Sequence, residues 1–154
     1  MTEDDAKNLY AHFGITAYRG QCLEMEAGTL LFAFIQTNSR ITAEEAQKAI
    51  ETSIERETSG HLLKEIKKIV HFEESGLATV DDALKKRNYL VHHFFRTHAL
   101  DMLSEAGRSK MINELEDIRQ SFDDADALLH VITITLLKTT GITEEDLRAN
   151  SMKR

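Results

Sequence analysis

The sequence predicts an all-α fold, an up-and-down bundle of four to five helices with short terminal helices. Three observations predict it. The 154 residues include no proline, which would break a helix interior. Apolar residues recur at helical spacing over residues 111–136. Four threonines are each followed three positions later by an acid, a spacing typical of helix starts: Thr2–Asp5, Thr42–Glu45, Thr79–Asp82 and Thr143–Asp146.

These starts, together with the glycines between them, divide the chain into successive helices. The first is expected to end at Gly14, and the sequence shows no linker or internal repeat. We therefore expect one domain over residues 1–154, with a core bundle over about 16–138. The expected helices cover about residues 4–13, 16–37, 43–57, 60–72, 80–106, 109–138 and 144–151.

The helix expected over 109–138 has the clearest apolar period, and the alternating "VITIT" at 131–135 stays helical because the period continues through it. The helix expected over 80–106 has a stripe with the same spacing. Two long helices with matching stripes predict an antiparallel hairpin that turns at Gly107. The apolar "TLLFAFI" at 29–35 would complete the core. The first stripe is Met111, Leu115, Ile118, Phe122, Ala125, Leu129, Ile132 and Leu136; the second is Leu84, Val91, Phe95, His98 and Met102, with Asn88 between.

Composition excludes several classes of protein. The formal net charge of -7 argues against general coating of nucleic acid or membrane, though not against a local basic site. The longest apolar run, Leu30 to Ile35, is far shorter than a membrane span. The single cysteine, Cys22, forms no internal disulfide, and "MTEDDAKN" lacks the apolar core of a signal peptide. We therefore expect a cytoplasmic protein.

No metal or cofactor is predicted. The sequence has no Glu-x-x-His, no His-x3-His and no Cys-x-x-Cys pair, and His92, His93 and His98 fall on different helix faces. There is no Gly-x-Ser-x-Gly elbow and no glycine-rich phosphate loop. Cys22, inside a predicted helix, is expected to be a small core residue.

The most informative segment is "KKRNYLVHHFFRTH", residues 85–98, which gathers four fixed positive charges and three histidines without an acid. Within it, "RNYLVH" places an arginine five residues before a histidine, with a polar Asn88 directly after Arg87. The same spacing in "RETSGH", from Arg56 to His61, is discounted because Glu57 follows the arginine and a glycine interrupts the helix.

The segment "RNYLVHHFF" resembles the HEPN superfamily (higher eukaryotes and prokaryotes nucleotide-binding), whose signature is an arginine and a histidine with four to six residues between them. The resemblance covers nine residues in motif and about residues 16–138 in helical architecture. It implies RNA or nucleotide binding, or metal-independent RNA cleavage, at a cleft between two copies of the chain. It also implies a toxin or defence role, which would come with a cognate antitoxin protein.

The resemblance implies catalytic roles for Arg87, Asn88 and His92. His92 would take a proton from a ribose 2′-OH, Arg87 would hold the phosphate, and Asn88 would orient one of them. Four neighbours would attract or contact RNA, and a carboxylate from the second helix would support Arg87; these are Lys85, Lys86, His93 and Arg96, with Glu24 as the support. Tyr89, Phe94 and Phe95 would supply either a base-stacking platform or core packing.

Helix geometry sets a condition on this site. At about 100° per residue, Arg87 and His92 lie about 140° apart around the axis. Either the arginine reaches around the helix, or the working pair comes from two chains. Phe94 stands where one toxin branch of the family has a tyrosine that a partner enzyme modifies, so that regulation is not expected here.

Two alternatives remain open from the sequence. One is a purely structural segment: a wet helix face, with Asn88 and His98 as satisfied polar groups within a packed stripe. The other is a non-catalytic dimeric helical scaffold or a nucleotide-binding module that shares the bundle.

Overall fold

The computed structural model describes residues 3–38 and 74–139 of the chain. In these two ranges the chain is an all-α helical bundle without strands, as predicted. None of the described helices is both long enough and apolar enough to cross a membrane. The helices expected over 43–57, 60–72 and 144–151 lie outside the described residues. The elements are α1 (Glu3–Asn38), α2 (Glu74–His92), α3 (Phe94–Thr97), a 3₁₀ turn (Asp101–Leu103) and α4 (Glu105–Lys138).

Helices α1 and α4 run parallel along their length. The Thr16 hydroxyl of α1 donates to the Leu115 carbonyl oxygen of α4 at 3.2 Å. One turn further along α1, Arg19 pairs with Asp123 of α4. Because the residue numbers of both helices rise together, the two helices point the same way.

Helix α2 runs antiparallel to α4. Lys86 near the middle of α2 donates to the Ser121 hydroxyl at 2.6 Å, whereas His98, beyond the end of α2, contacts Glu114. Residue numbers therefore fall along α4 as they rise along α2. The predicted antiparallel hairpin is confirmed, and the three long helices that the structure describes, α1, α2 and α4, alternate in direction.

Helix α1 is continuous, so the predicted break at Gly14 is wrong. A single glycine inside a helix costs about 1 kcal/mol relative to alanine, which the packing of a long helix easily offsets. Gly14 is exposed, and nothing lies within 4 Å of the position its Cβ would occupy. The buried stripe continues across it on the opposite side of the helix, through Leu9, Thr16, Leu23, Ala27 and Leu30.

Gly20 is where α1 comes closest to its neighbours. A Cβ built there would lie 3.2 Å from Cε2 of Phe122 and 3.5 Å from Cγ of Arg87. Phe122 is fully buried, so its ring has little room to move. The missing side chain thus lets α1 pack against α4 and against the apolar stem of Arg87 at the same point.

The apolar stripe of α4 is confirmed through Leu129 and then shifts by one residue. Met111, Leu115, Ile118, Phe122, Ala125 and Leu129 are buried. Beyond them Thr133 and Leu137 are buried, whereas Ile132 and Leu136 are only partly covered. A straight helix drifts relative to a seven-residue repeat, so a long stripe must move to the next position. The Thr133 hydroxyl is satisfied by the Leu129 carbonyl at 2.9 Å.

Helix α2 differs from the predicted helix over 80–106, because it begins at Glu74 and ends at His92. His93 has φ -129° and ψ -25°, which interrupts the helix. After the interruption Phe94 is fully buried and Phe95 packs on Phe13 with ring centroids 4.7 Å apart. Packing of these two consecutive aromatic rings, one buried and one partly covered, outweighs the helix propensity of the segment here.

The buried stripe of α2 also differs from the predicted one. Val91 was placed in the stripe but is 53% exposed. The buried positions are Val80, Ala83, Leu84 and Leu90, followed by Phe94 of α3. Of the predicted members, Leu84 and His98 are buried, and Phe95 and Met102 pack partly covered against the core.

The hairpin turns over residues 98–104 rather than at Gly107, which corrects the predicted turn. Ser104 caps α4 by accepting a hydrogen bond from the Gly107 amide at 3.0 Å, so Gly107 lies in the first turn of the helix. A Cβ on Gly107 would collide with the carbonyl oxygen of Asp101. The glycine therefore permits the 3₁₀ turn to fold closely onto the start of α4.

The two glycines of α1 should respond to substitution in opposite directions. Gly14→Ala, at an open helix position, should raise the free energy of unfolding by about 0.5–1 kcal/mol. Gly20→Leu, which overpacks the contact with Phe122, should lower it by roughly 1–3 kcal/mol. Urea unfolding followed by circular dichroism measures both. A loss of stability in Gly14→Ala would show that α1 is not continuous through that residue.

Candidate functional site

Arg87 lies at the centre of the buried stripe of α2. At about 100° per residue, the positions of Val80, Ala83, Leu84 and Leu90 spread to both sides of the direction in which Arg87 leaves the helix. The Arg87 side chain is nevertheless 26% exposed, because its guanidinium reaches the edge of the contact between α2 and α1. A charged residue thus stands where the helix pattern alone would place an apolar one.

The guanidinium of Arg87 is held by the carboxylate of Glu24 from α1. Its Nη2 lies 2.9 Å from Oε2 and 2.9 Å from Oε1 of Glu24, whose side chain is 22% exposed. The predicted support of Arg87 by Glu24 is therefore present as a contact. Arg87 Nη1 also donates a long hydrogen bond of 3.4 Å to Oδ1 of Asn88. Three of the predicted site residues are thus brought together.

His92 lies apart from this group. It is the last residue of α2, is exposed, and stands about 140° around the axis from Arg87. Its ring packs edge-on against His93, with centroids 6.2 Å apart. Within residues 3–38 and 74–139, no hydrogen bond or ion pair connects His92 to Arg87. A single chain therefore does not bring the two motif residues onto one pocket.

The two lysines before Arg87 are engaged by acids one helical turn earlier. Lys85 lies 2.7 Å from Asp81 and Lys86 lies 2.7 Å from Asp82. The Asp81 carboxylate raises the pKa of Lys85 by its hydrogen bond and its charge. These pairs offset much of the positive charge that the sequence places here, which weakens the pull of this face on a phosphate backbone.

Positive charge remains accessible beyond the end of α2. Arg96 and His93 are both exposed, and Arg96 Nη2 lies 3.0 Å from Nδ1 of His93. Together with His92 they form an exposed end of the helix that carries one arginine and two histidines. Of Lys85, Lys86, His93 and Arg96, the last two are therefore exposed without an acidic partner among the described contacts.

The aromatic residues of the segment serve mainly the core. Phe94 is fully buried, and Phe95 packs on Phe13 and, with centroids 6.0 Å apart, on Tyr10. Tyr89 is partly covered and meets the ring of Phe94 edge-on. Core packing, rather than a stacking platform for bases, accounts for Phe94.

A second polar cluster lies in the hairpin turn, and the sequence predicted only its central residue. His98 is 3% exposed. Its Nδ1 lies 2.7 Å from Asp101 Oδ2, and its Nε2 lies 2.9 Å from Glu114 Oε2 and 3.3 Å from the Tyr89 hydroxyl. Lys110 approaches Asp101 at 3.2 Å. We call His98, Asp101, Glu114 and Tyr89 the clasp.

The clasp shifts the titration of two of its members. Hydrogen bonds from His98 and Lys110 lower the pKa of Asp101, since they stabilise its charged form. Burial, followed by the hydrogen bond to Glu114, raises the pKa of Tyr89, since both disfavour a phenolate. A tyrosine with a raised pKa loses its proton less readily and is a poor nucleophile, so the clasp does not activate Tyr89.

Neither polar group resembles a metal centre. Groups of three or more His, Cys, Asp or Glu side chains placed to hold one ion are absent from the part of the chain that the structure describes. In the clasp, the two ring nitrogens of His98 face different carboxylates, so no common point between the side chains collects three ligands.

Comparison with known proteins adds no assignment: no family model, no curated protein and no solved structure matches the chain. The function must therefore be argued from the site itself.

The stability conferred by Asp101 should depend on pH in a defined direction. Its folded pKa lies below the ordinary 3.8, so its contribution is present above that value and is lost as pH falls through the folded pKa. The melting temperature of the wild-type protein should exceed that of Asp101→Asn at pH 7, and the gap should close in acid. Asp117→Asn, at an exposed carboxylate of α4, is the control and should show no such gap. A gap for Asp101→Asn that persists unchanged below pH 3 would contradict the assignment.

Proposed function

We propose that the protein binds RNA and cleaves it without a metal ion, at a site formed by Arg87, Asn88 and His92 in a homodimer. The observation that carries this proposal is the position of Arg87, a charged side chain at the centre of an apolar stripe and held there by one carboxylate.

An ion pair within a packed helix contact adds little to the stability of the fold. Removing charges from water costs nearly as much as their attraction returns, and apolar residues of similar size often stabilise as well or better. Arg87 and Glu24 are each about three-quarters covered, so this argument applies to them in part. A role in binding accounts for an arginine at this position, because a planar guanidinium suits the oxygens of a phosphate.

The second chemical group is the exposed imidazole of His92. In the proposed reaction His92 takes the proton of a ribose 2′-OH, and the 2′-oxygen attacks the adjacent phosphorus. The bond from phosphorus to the 5′-oxygen breaks, and the leaving 5′-oxygen takes a proton from water. Arg87 stabilises the negative charge that builds on the phosphate oxygens. The products are a 2′,3′-cyclic phosphate end and a 5′-hydroxyl end.

A second copy of the chain would bring an arginine and a histidine of the motif together at one site. Asn88 and Val91 lie between Arg87 and His92 around the axis of α2. Val91 is 53% exposed, so this face offers an apolar residue to bury in a two-fold contact. Such a contact would set His92 of one protomer beside Arg87 of its partner. We therefore propose that each site is composite, with the arginine and the histidine from different chains.

The remaining basic residues fit a supporting role. His93 and Arg96 would guide the RNA backbone at the end of α2, whereas Lys85 and Lys86 contribute less because Asp81 and Asp82 engage them. A nuclease of this kind would damage RNA in its own cell. We accordingly propose a toxin or defence role in the cytoplasm, held in check by a cognate antitoxin protein.

RNA cleavage in excess chelator tests the proposal directly. Wild-type protein should yield 2′,3′-cyclic phosphate ends, and His92→Ala should slow the reaction by roughly 10²–10⁴-fold, the usual contribution of a general base. Arg87→Ala should slow it by roughly 10²–10³-fold through loss of charge stabilisation.

Matched controls exist on α4. His130→Ala and Arg119→Ala remove the same chemical groups away from the motif and should cleave at the wild-type rate. Equal, low rates for wild-type protein and both motif variants would rule out the nuclease. Retained RNA binding in that case would identify a nucleotide- or RNA-binding module, and no binding would identify a scaffold.

A further inference from the structure

The clasp joins three parts of the hairpin through one side chain. His98, in the turn, contacts Asp101 of the 3₁₀ turn and Glu114 of α4, and it lies near the Tyr89 hydroxyl of α2. Burial and, after it, the nearby Glu114 raise the pKa of Tyr89. Glu114 of α4 thus contacts His98 of the turn and lies close to Tyr89 of α2.

Each nitrogen of the His98 ring faces a carboxylate. Nδ1 is hydrogen-bonded to Asp101 at 2.7 Å, and Nε2 lies 2.9 Å from Glu114 and 3.3 Å from the Tyr89 hydroxyl. The charged groups facing the ring are Asp101, Glu114 and Lys110, the last through Asp101. The Phe94 ring covers the remaining side, with centroids 4.9 Å apart.

A second charged contact closes the same turn from the other side. Arg108 of α4 donates to the Met102 carbonyl oxygen at 3.0 Å and lies 3.4 Å from Asp5 of α1. Arg108 is 7% exposed. The turn is therefore tied to α4 and α1 by directional bonds as well as by apolar packing.

Such a cluster fixes geometry more than it adds stability. Apolar side chains of similar volume often stabilise a protein as well as a buried ion pair does, whereas charged hydrogen bonds are satisfied only at defined distances and angles. Of the three predicted catalytic residues, His92 is the one that lies between Tyr89 and His98 in the chain, three positions after Tyr89 at the end of α2. His93, at the interruption, donates its backbone amide to the Tyr89 carbonyl at 2.8 Å.

We propose that His98 is a positioning residue, whose clasp sets the direction in which α2 ends and so where His92 stands relative to the arginine of the site. The inference rests on the proposed function for its catalytic consequence. The clasp itself stands on the contacts of His98 alone.

Two variants test the clasp by different chemistry. His98→Phe keeps a ring against Phe94 but removes both ring nitrogens. Glu114→Gln keeps the side-chain shape but removes the charge. In both, backbone amides of residues 89–104 should exchange with solvent on the order of tenfold faster, because lost bonds to charged groups permit local opening. Amides of residues 111–133 should keep their wild-type rates. Nuclear magnetic resonance of the full chain measures both regions.

The kinetic constants of RNA cleavage, kcat and KM, distinguish a positioning role from a merely structural one. In either variant kcat should fall while KM stays near the wild-type value, since Arg87 still binds phosphate but His92 is misplaced. Asp117→Asn, at an exposed carboxylate of the same helix, should match wild type in exchange and in both kinetic constants.

Either of two hydrogen-exchange results would overturn the proposal: unchanged exchange over residues 89–104, or faster exchange spread evenly over α1, α2 and α4. Equal falls in kcat and in bound RNA would also contradict a positioning role. A wild-type protein that does not cleave RNA would refute the catalytic function and its link to the clasp. Local exchange in His98→Phe and Glu114→Gln would still decide whether the clasp holds the turn.

Discussion

The pairing of Arg87 with Glu24 is the constraint on which the rest of the site depends. It holds the guanidinium at the contact between α1 and α2. Gly20, which has no side chain, leaves space for the apolar stem of the arginine. Had an apolar residue occupied this position, the stripe of α2 would be uninterrupted and the bundle would pack without a charged contact. At this pair the helix pattern and the chemistry of the side chains disagree.

The contact between Arg87 and Glu24 determines which residues of a single chain can lie near the guanidinium. With Arg87 turned toward α1, His92 is left on a different face of α2, exposed and close to His93. The clasp around His98 fixes the turn that follows, so the end of α2 is held in one direction rather than left to bend toward the arginine. The proposed site therefore needs either another arrangement of the helix end or a second chain, and the directional bonds of the turn are the reason for proposing the second chain.

The sequence predicted those features that depend on local period and missed those that depend on contacts across the fold. The α4 stripe through Leu129 followed from its repeat, and the structure shows His98 buried as predicted. The partners Asp101 and Glu114 were missed, although the spacing of three from His98 to Asp101 is visible in the sequence. The predicted helix end at Gly14 is wrong because the low helix propensity of one glycine contributes less free energy than the packing of the whole helix. The interruption at His93 goes with the packing of Phe94 and Phe95 against residues far away in the sequence, such as Phe13, which no local pattern near them encodes.

Mixing Arg87→Ala protein with His92→Ala protein tests most directly whether the site is shared between two chains. Each variant alone should be inactive. After subunit exchange, a mixed dimer has one site with both groups intact, so RNA cleavage should return to about a quarter of the wild-type rate under random pairing. Cleavage that stays at background after demonstrated exchange, while wild-type protein is active, would contradict the account and place both residues of each site in one chain.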